Sequence, residues 1–404
     1  MGLIVLLWPF VAKAQNNDIW HRYTPDNDTV VSLVNFYPGG EIFELEGHTA
    51  LRVRMQGRDM AVSYGMFSFN EPNFVYRFVK CETDYWVGLV PWYVFENEYK
   101  RQGRRIVEHR LNMTGEQKKR LIDLLDENLR PENSVYRYNY VRDNCATRPL
   151  GIIEKAYGDS IVLGKPQGDI AGNVTFRDVM RHYHANYPWY QFGIDICLGS
   201  GIDMDLDNRE KAFAPVVLDM QMPEATVGGR KIVSETVIVN DVTPDNAVSG
   251  PTPWFLTPMA VFTLFFIMVC MITARDVKRR HVSRWLDSLL FGLYGIVGLL
   301  VTFLVFCSDH EATSPNWLIF WFNPLCFLPA VCVWIKSARK LLNCYQIVNF
   351  AVLILLACAW AWTGQHANPA FVPLFLAELV RGASYIFINL KTNSQGFGPK
   401  DKKK

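Results

Sequence analysis

The sequence predicts an α+β exported domain followed by a C-terminal α-helical transmembrane bundle. Three observations carry this prediction. A short apolar stretch at the N-terminus ends in a small-x-small tripeptide, the first half alternates like sheet strands between charged segments, and five long apolar runs follow Trp254.

The 404 residues exceed one small domain, and the composition, 50% hydrophobic and 20% charged, sits between soluble and membrane proteins. The average hides a division, with charges crowding the first half and apolar runs the second. A net charge of +2 gives no overall electrostatic case for a nucleic-acid partner. Of nine cysteines, Cys81, Cys145 and Cys197 fall in the first half, with neither zinc-ligand spacing nor the number for a disulfide framework. The reading therefore includes no metal and no cofactor. An exported location permits a Cys81–Cys197 disulfide, which spacing leaves open.

At the N-terminus, Leu3–Val11 is an apolar core and Ala12-Lys13-Ala14 resembles a cleavage site, so residues 1–14 read as a signal peptide. No Lys or Arg precedes that core. Residues 15–29 form an N-terminal segment, 30–225 the exported domain, 226–253 a linker, 254–390 the bundle and 391–404 a basic cytoplasmic tail.

The expected spans are Trp254–Ala274, Trp285–Cys307, Trp317–Ile335, Ile347–Thr363 and Phe371–Leu390. Glu378 and Arg381 interrupt the last and, three residues apart, have the spacing to pair on one helix face. Basic residues follow spans one, three and five, among them Arg275, Arg279, Lys336, Lys340 and Lys391. The loops after spans two and four carry none, so the bias places the C-terminus in the cytoplasm. The outer loop Ser308-Asp309-His310-Glu311 is placed to meet a lipid headgroup, with Asp309 and His310 as its candidates, although loops are polar by default.

In the exported domain, Val31–Phe36, His48–Met55, Met60–Phe69, Tyr85–Tyr93 and Arg105–Met113 read as strands. Thr114 and Gln117 form a capping box before an amphipathic helix that Pro131 stops. Further helices are expected after Arg148 to about Tyr157 and over Thr175–His184, and one strand over Ile232–Val239.

Cys145 is the best candidate nucleophile, because it sits where a loop enters a helix and free N–H groups would stabilise a thiolate. Free cysteines are usually buried, so spacing alone favours a structural role. A thiol nucleophile needs a base, and histidine is the usual one. Of His21, His48, His109, His182 and His184, His48 stands out because it follows Gly47 and opens a strand. His109 reads as a solvated mid-strand residue, and His182 and His184 as part of a helix or its end.

Gly47-His48-Thr49-Ala50-Leu51-Arg52-Val53, Tyr64-Gly65-Met66-Phe67, Pro72-Asn73-Phe74, Tyr138-Asn139-Tyr140 and Asp143-Asn144-Cys145-Ala146-Thr147-Arg148-Pro149 resemble the exported domain of bacterial lipoprotein intramolecular transacylases. The resemblance covers about residues 30–225. It implies a permuted papain-like (NlpC/P60-like) fold, in which His precedes Cys, and raises Cys145 and His48 to the catalytic pair. It implies transfer of an O-acyl chain from a diacylated lipoprotein to the amine of that lipoprotein's N-terminal cysteine. The partners implied are diacylated lipoproteins and membrane lipid. Asn144, Arg148 and Tyr64 are candidates for oxyanion or supporting roles, and Ser63, Tyr64 or Asn70 for orienting His48. An envelope amidase or peptidase using the same pair is the first alternative, since fold does not fix substrate. A non-enzymatic envelope scaffold is the second.

Overall fold

The computed structural model describes residues 28–395. The expected signal peptide, residues 15–27 and the end of the basic tail lie outside the described residues. The chain divides into two units, one running to Asn186 and resuming over Met204–Gly250, the other comprising Tyr187–Asp203 and the chain from Pro251.

In the first unit the order is β1 (Val30–Phe36), β2 (His48–Met55), β3 (Arg58–Met66), α1 (Phe74–Lys80), β4 (Asp84–Pro91), α2 (Trp92–Arg101), β5 (Ile106–Leu111), α3 (Gly115–Leu129), β6 (Val135–Arg137), α4 (Thr147–Tyr157) and α5 (Phe176–Tyr183). After α6 (Pro188–Cys197), which belongs to the second unit, it closes with α7 (Pro215–Gln221), β7 (Thr226–Val227), β8 (Arg230–Lys231) and β9 (Val233–Asn240). Seven strands pair antiparallel in the order β6-β4-β3-β2-β1-β5-β9. β1 is the most continuously apolar strand and is covered on both faces, as such a run requires.

Alternation along the strands sorts the core into two clusters. Leu33, Leu51, Val53 and Val62 pack with Leu121, Leu125 and Leu150 of α3 and α4. Val34, Ala50 and Ala61 pack with Trp92, Phe95 and Tyr99 around α2. Each fully buried large side chain contributes about 1.5–3 kcal/mol. The capping box forms as predicted, with Thr114 accepting from the Gln117 N–H and the Gln117 side chain from the Thr114 N–H.

The strand expected over Ile232–Val239 forms as β9, and it corrects the expected linker over 226–253 in one respect: it pairs with β5 along its length and completes the sheet, because alternating Val233, Val237 and Val239 suit an edge strand. Residues 187–203, assigned by sequence to the exported domain, belong to the second unit, where the apolar α6 packs through Phe192 and Ile196. Helices α1 and α2 were not legible because short helices between strands carry too few residues to show a period.

The second unit holds α8 (Pro258–Arg279), α9 (Arg284–Phe306), α10 (Phe327–Cys332), α11 (Arg339–Thr363) and α12 (Phe371–Gln395). Among the described residues, α8, α9, α11 and α12 are long and apolar enough to cross a membrane. The third expected span, Trp317–Ile335, is not one helix. It is broken into Trp317–Phe320, Pro324–Cys326 and α10, with Asn323 and Pro324 at the break. Asn323 Oδ1 accepts from the Leu325 N–H, and Gly298 of α9 lets the Asn323 backbone approach so closely that a Cβ there would meet it at 2.5 Å. Irregular backbone at membrane depth is tolerated where protein covers it in this way.

Glu378 and Arg381 do not pair with each other, which corrects the reading from their spacing. Arg381 donates to Asp287 Oδ1 at 2.7 Å, Asp276 Oδ2 at 2.9 Å and Thr273 Oγ1 at 3.1 Å. Glu378 accepts from Trp321 Nε1 at 2.8 Å and Asn349 Nδ2 at 2.7 Å. Partners on neighbouring segments satisfy both, because a buried charge needs hydrogen-bonding groups from several directions. Arg381→Met should leave two buried aspartates unpaired and cost about 3–5 kcal/mol. The expected readout is a clear fall in melting temperature in detergent, recovered in large part by adding Asp276→Asn and Asp287→Asn.

Candidate active site

The site lies at the start of β2. Gly47 adopts φ +87°, and a Cβ there would lie 2.5 Å from the Phe36 carbonyl oxygen, so this turn accepts only glycine. It delivers His48 opposite Phe36 in the β1–β2 register. The imidazole lies among Phe36, Phe95 and Tyr99, nearly parallel to the Tyr99 ring. Its Nε2 bonds Ser63 Oγ at 2.8 Å across to β3. Of the three candidates for orienting His48, Ser63 is therefore the one in contact. The Tyr64 hydroxyl is buried without a hydrogen-bond partner, and the Asn70 N–H bonds Ser68 Oγ in the following loop.

Cys145 sits one residue before Ala146, the N-cap of α4. Its sulfur accepts a hydrogen bond from the Tyr138 hydroxyl at 3.8 Å, and a Cβ at Gly65, two residues beyond Ser63, would lie 3.7 Å from the Cys145 Cβ. Gly65, at φ +83°, makes room: a Cβ there would meet the Tyr138 ring at 2.9 Å. The thiol and imidazole thus converge on one short stretch of β3, with no hydrogen bond between them among the described residues. Ala146 belongs to the core beneath α3 and α4, whereas the His48 ring neighbours the α2 cluster.

Both groups are neutral in the resting site. Desolvation pushes the Cys145 thiol up to about 11, and nearby Glu46 adds to this, while the hydrogen bond from Tyr138 opposes it. Desolvation, with the Arg104 charge second, pushes His48 down to about 3. Arg104 is itself buried, paired with Glu44 at 2.9 Å and stacked over Tyr99.

Two candidate support residues have other work. The Asn144 amide donates to the Tyr140 and Phe213 carbonyls at 2.7 and 2.8 Å, and its oxygen accepts from the Ala146 and Thr147 N–H groups at 2.8 and 3.0 Å. It caps α4 and ties it to two loops, leaving no donor for an oxyanion. Arg148 forms a bidentate pair with Asp143, at 2.6 and 2.9 Å, and covers the Tyr136 ring. Asp309 and His310 lie in the second unit, where the His310 carbonyl accepts from Thr313.

Sequence reasoning missed Glu46 and His184. His184, the C-cap of α5, bonds Glu46 Oε1 at 2.6 Å, and Tyr140 donates to the same oxygen. The adjacency Glu46-Gly47-His48 was the available signal. His109, read as solvated, is buried between Asp219 at 2.8 Å and Thr236 at 3.0 Å, because β9 covers the strand it stands on. Cys81 and Cys197 form no disulfide with each other among the described residues.

Comparison with known families agrees with this architecture. Residues 16–180 match the Lnb N-terminal periplasmic domain, and residues 251–393 match the Lnb transmembrane domain. No curated protein and no solved structure matches the chain. Fold and matches together define a membrane protein with an N-terminal periplasmic domain. The two matches span most of its length, and the chain belongs to the Lnb lipoprotein intramolecular transacylase family.

Two expectations follow from the geometry. Alkylation of Cys145 by iodoacetamide should rise about tenfold per pH unit toward about 11, without a plateau below neutrality; such a plateau would reveal a resting thiolate–imidazolium pair. Asn144→Ala should cost about 2–4 kcal/mol through lost capping and unpaired carbonyls, read as a lower melting temperature. A purely catalytic Asn144 would lower activity with melting unchanged.

Proposed function

We propose that this protein is a cysteine-dependent acyltransferase. It would move an O-acyl chain of a diacylglyceryl-modified lipoprotein to the α-amine of that lipoprotein's N-terminal cysteine, without a cofactor. The supporting observation is the convergence of both side chains on one short stretch of β3: His48 bonds Ser63 at 2.8 Å, and two residues further on a Cβ at Gly65 would lie 3.7 Å from the Cys145 Cβ. Family membership supplies the substrate class.

We assign the tautomer in which Nε2–H donates to Ser63, so that His48 Nδ1 keeps its lone pair and serves as base. Because both groups rest neutral, proton transfer waits for substrate. Cys145 S–H gives its proton to His48 as sulfur attacks the ester carbonyl carbon. The C–O bond breaks, His48 returns the proton to the departing alcohol oxygen, and a thioester remains. The lipoprotein α-amine then attacks the thioester, His48 takes its proton, and the thiol is regenerated. The backbone N–H groups of Cys145 and Thr49 are the oxyanion donors this reading selects.

The permuted papain-like description fits a His-bearing strand that precedes the Cys-bearing helix in sequence. Basic residues at the α8–α9 turn and before α11 favour five crossings with a cytoplasmic C-terminus, the broken Trp317–Cys332 segment serving as the third.

The test uses cells lacking their lipoprotein N-acylating enzyme and expressing wild type, Cys145→Ala or His48→Gln. Mass spectrometry of lipoprotein N-terminal peptides should show N-acylated lysoforms with wild type, none with Cys145→Ala and at least tenfold less with His48→Gln. Free diacylated N-termini with wild type would overturn the reading.

A further inference from the structure

A continuous path of aromatic rings leads from the Cys145 thiol to the surface of the first unit. Tyr138, whose hydroxyl bonds the sulfur, stacks on Tyr85 with centroids 4.5 Å apart. Tyr85 meets Phe67 at 5.3 Å, Phe67 stacks on Phe74 at 6.0 Å, and Phe74 stacks on Phe78 at 5.8 Å. Phe43 and Phe69 flank Phe67.

The outer rings stand on α1, an unusual helix. Five of its seven residues are apolar or aromatic, yet it buries none. Val75 is 73% exposed and Phe78 46%. A surface helix ordinarily turns its apolar face to the core. Here polar residues do the holding: Arg77 pairs with Glu71 at 2.6 Å and Asp84 at 2.8 Å, and Lys80 with Glu82. The charges are matched locally while the apolar side chains face outward, beside exposed Ile42, Phe43 and Phe69. Exposed apolar surface of this extent marks a binding site.

We propose that the rings from Tyr138 to Phe78 form the track along which a fatty acyl chain lies when its carbonyl is at Cys145, with α1 as the outer lip. The proposal rests on the acyl-transfer reading and adds where the chain binds. Continuity with the thiol selects this occupant. A protein partner or a second copy would cover α1 but would have no use for rings that lead inward to a sulfur. A saturated chain carries no polar group, and the partly exposed rings along the track offer it apolar contact. Each methylene buried on such a surface strengthens binding by up to about fourfold.

The test measures p-nitrophenol release by the purified full chain in detergent, with p-nitrophenyl acetate and p-nitrophenyl dodecanoate, against Cys145→Ala. Wild type should favour the dodecanoate at least a hundredfold in kcat/KM. Phe74→Asp should reduce that ratio at least tenfold, and so should Phe78→Ser, whose exposed position spares the fold. Tyr93→Ser, at an exposed aromatic of α2 outside the track, should leave the ratio unchanged. Cys145-dependent release with a ratio near one, or a ratio unmoved by both Phe74→Asp and Phe78→Ser, would overturn the track alone. The absence of Cys145-dependent release with either ester would overturn the acyl-transfer reading beneath it.

Discussion

The register of β1 against β2, with Phe36 opposite His48, is the constraint on which the site depends. Side chains alternate along a strand, so a slip of one residue would exchange the faces of His48 and Thr49. The imidazole would leave its aromatic surroundings and lose its bond to Ser63. Several contacts pin this register. Gly47 fits only beneath the Phe36 carbonyl, Asn35 donates to the Pro215 carbonyl at 2.9 Å, and Val216 donates to the Glu46 carbonyl. The tight turn before β2 and the helix α7 behind it thus set the position of the imidazole.

Given that placement, desolvation decides the chemical state. Burial penalises both thiolate and imidazolium, so the resting pair is neutral, and the nearby charges are held in matched pairs. Arg104 is spent on Glu44, Arg148 on Asp143, and Glu46 on His184 and Tyr140. On the proposed reading, such a site is quiet without substrate, and activation depends on what the substrate brings.

The membrane unit obeys the same accounting for buried polar groups. Arg381 is matched by two aspartates and a threonine, and Glu378 by an indole and an amide. Asn316 and Asn323 bond the backbone where the third apolar segment breaks. The partners of Arg381 and Glu378 are distant in sequence, so spacing within α12 suggested a pairing that other segments of the bundle supply instead.

The sequence by itself determined the division into an exported part and a membrane part, the five principal strands, the capped helix α3 and the pair Cys145 and His48 as the residues to follow. These are local signals: apolar length, period-two alternation, a capping box, and a cysteine entering a helix. Tertiary structure decided the rest. It chose Ser63 over Tyr64 and Asn70 beside His48, turned Asn144 and Arg148 to structural work, recruited Glu46 and His184, buried His109 beneath β9, and broke the third apolar run. It also left α1 with its apolar face outward. Each of these turns on which side chains meet across strands and helices distant in sequence, and on how much water remains between them, neither of which a local pattern encodes.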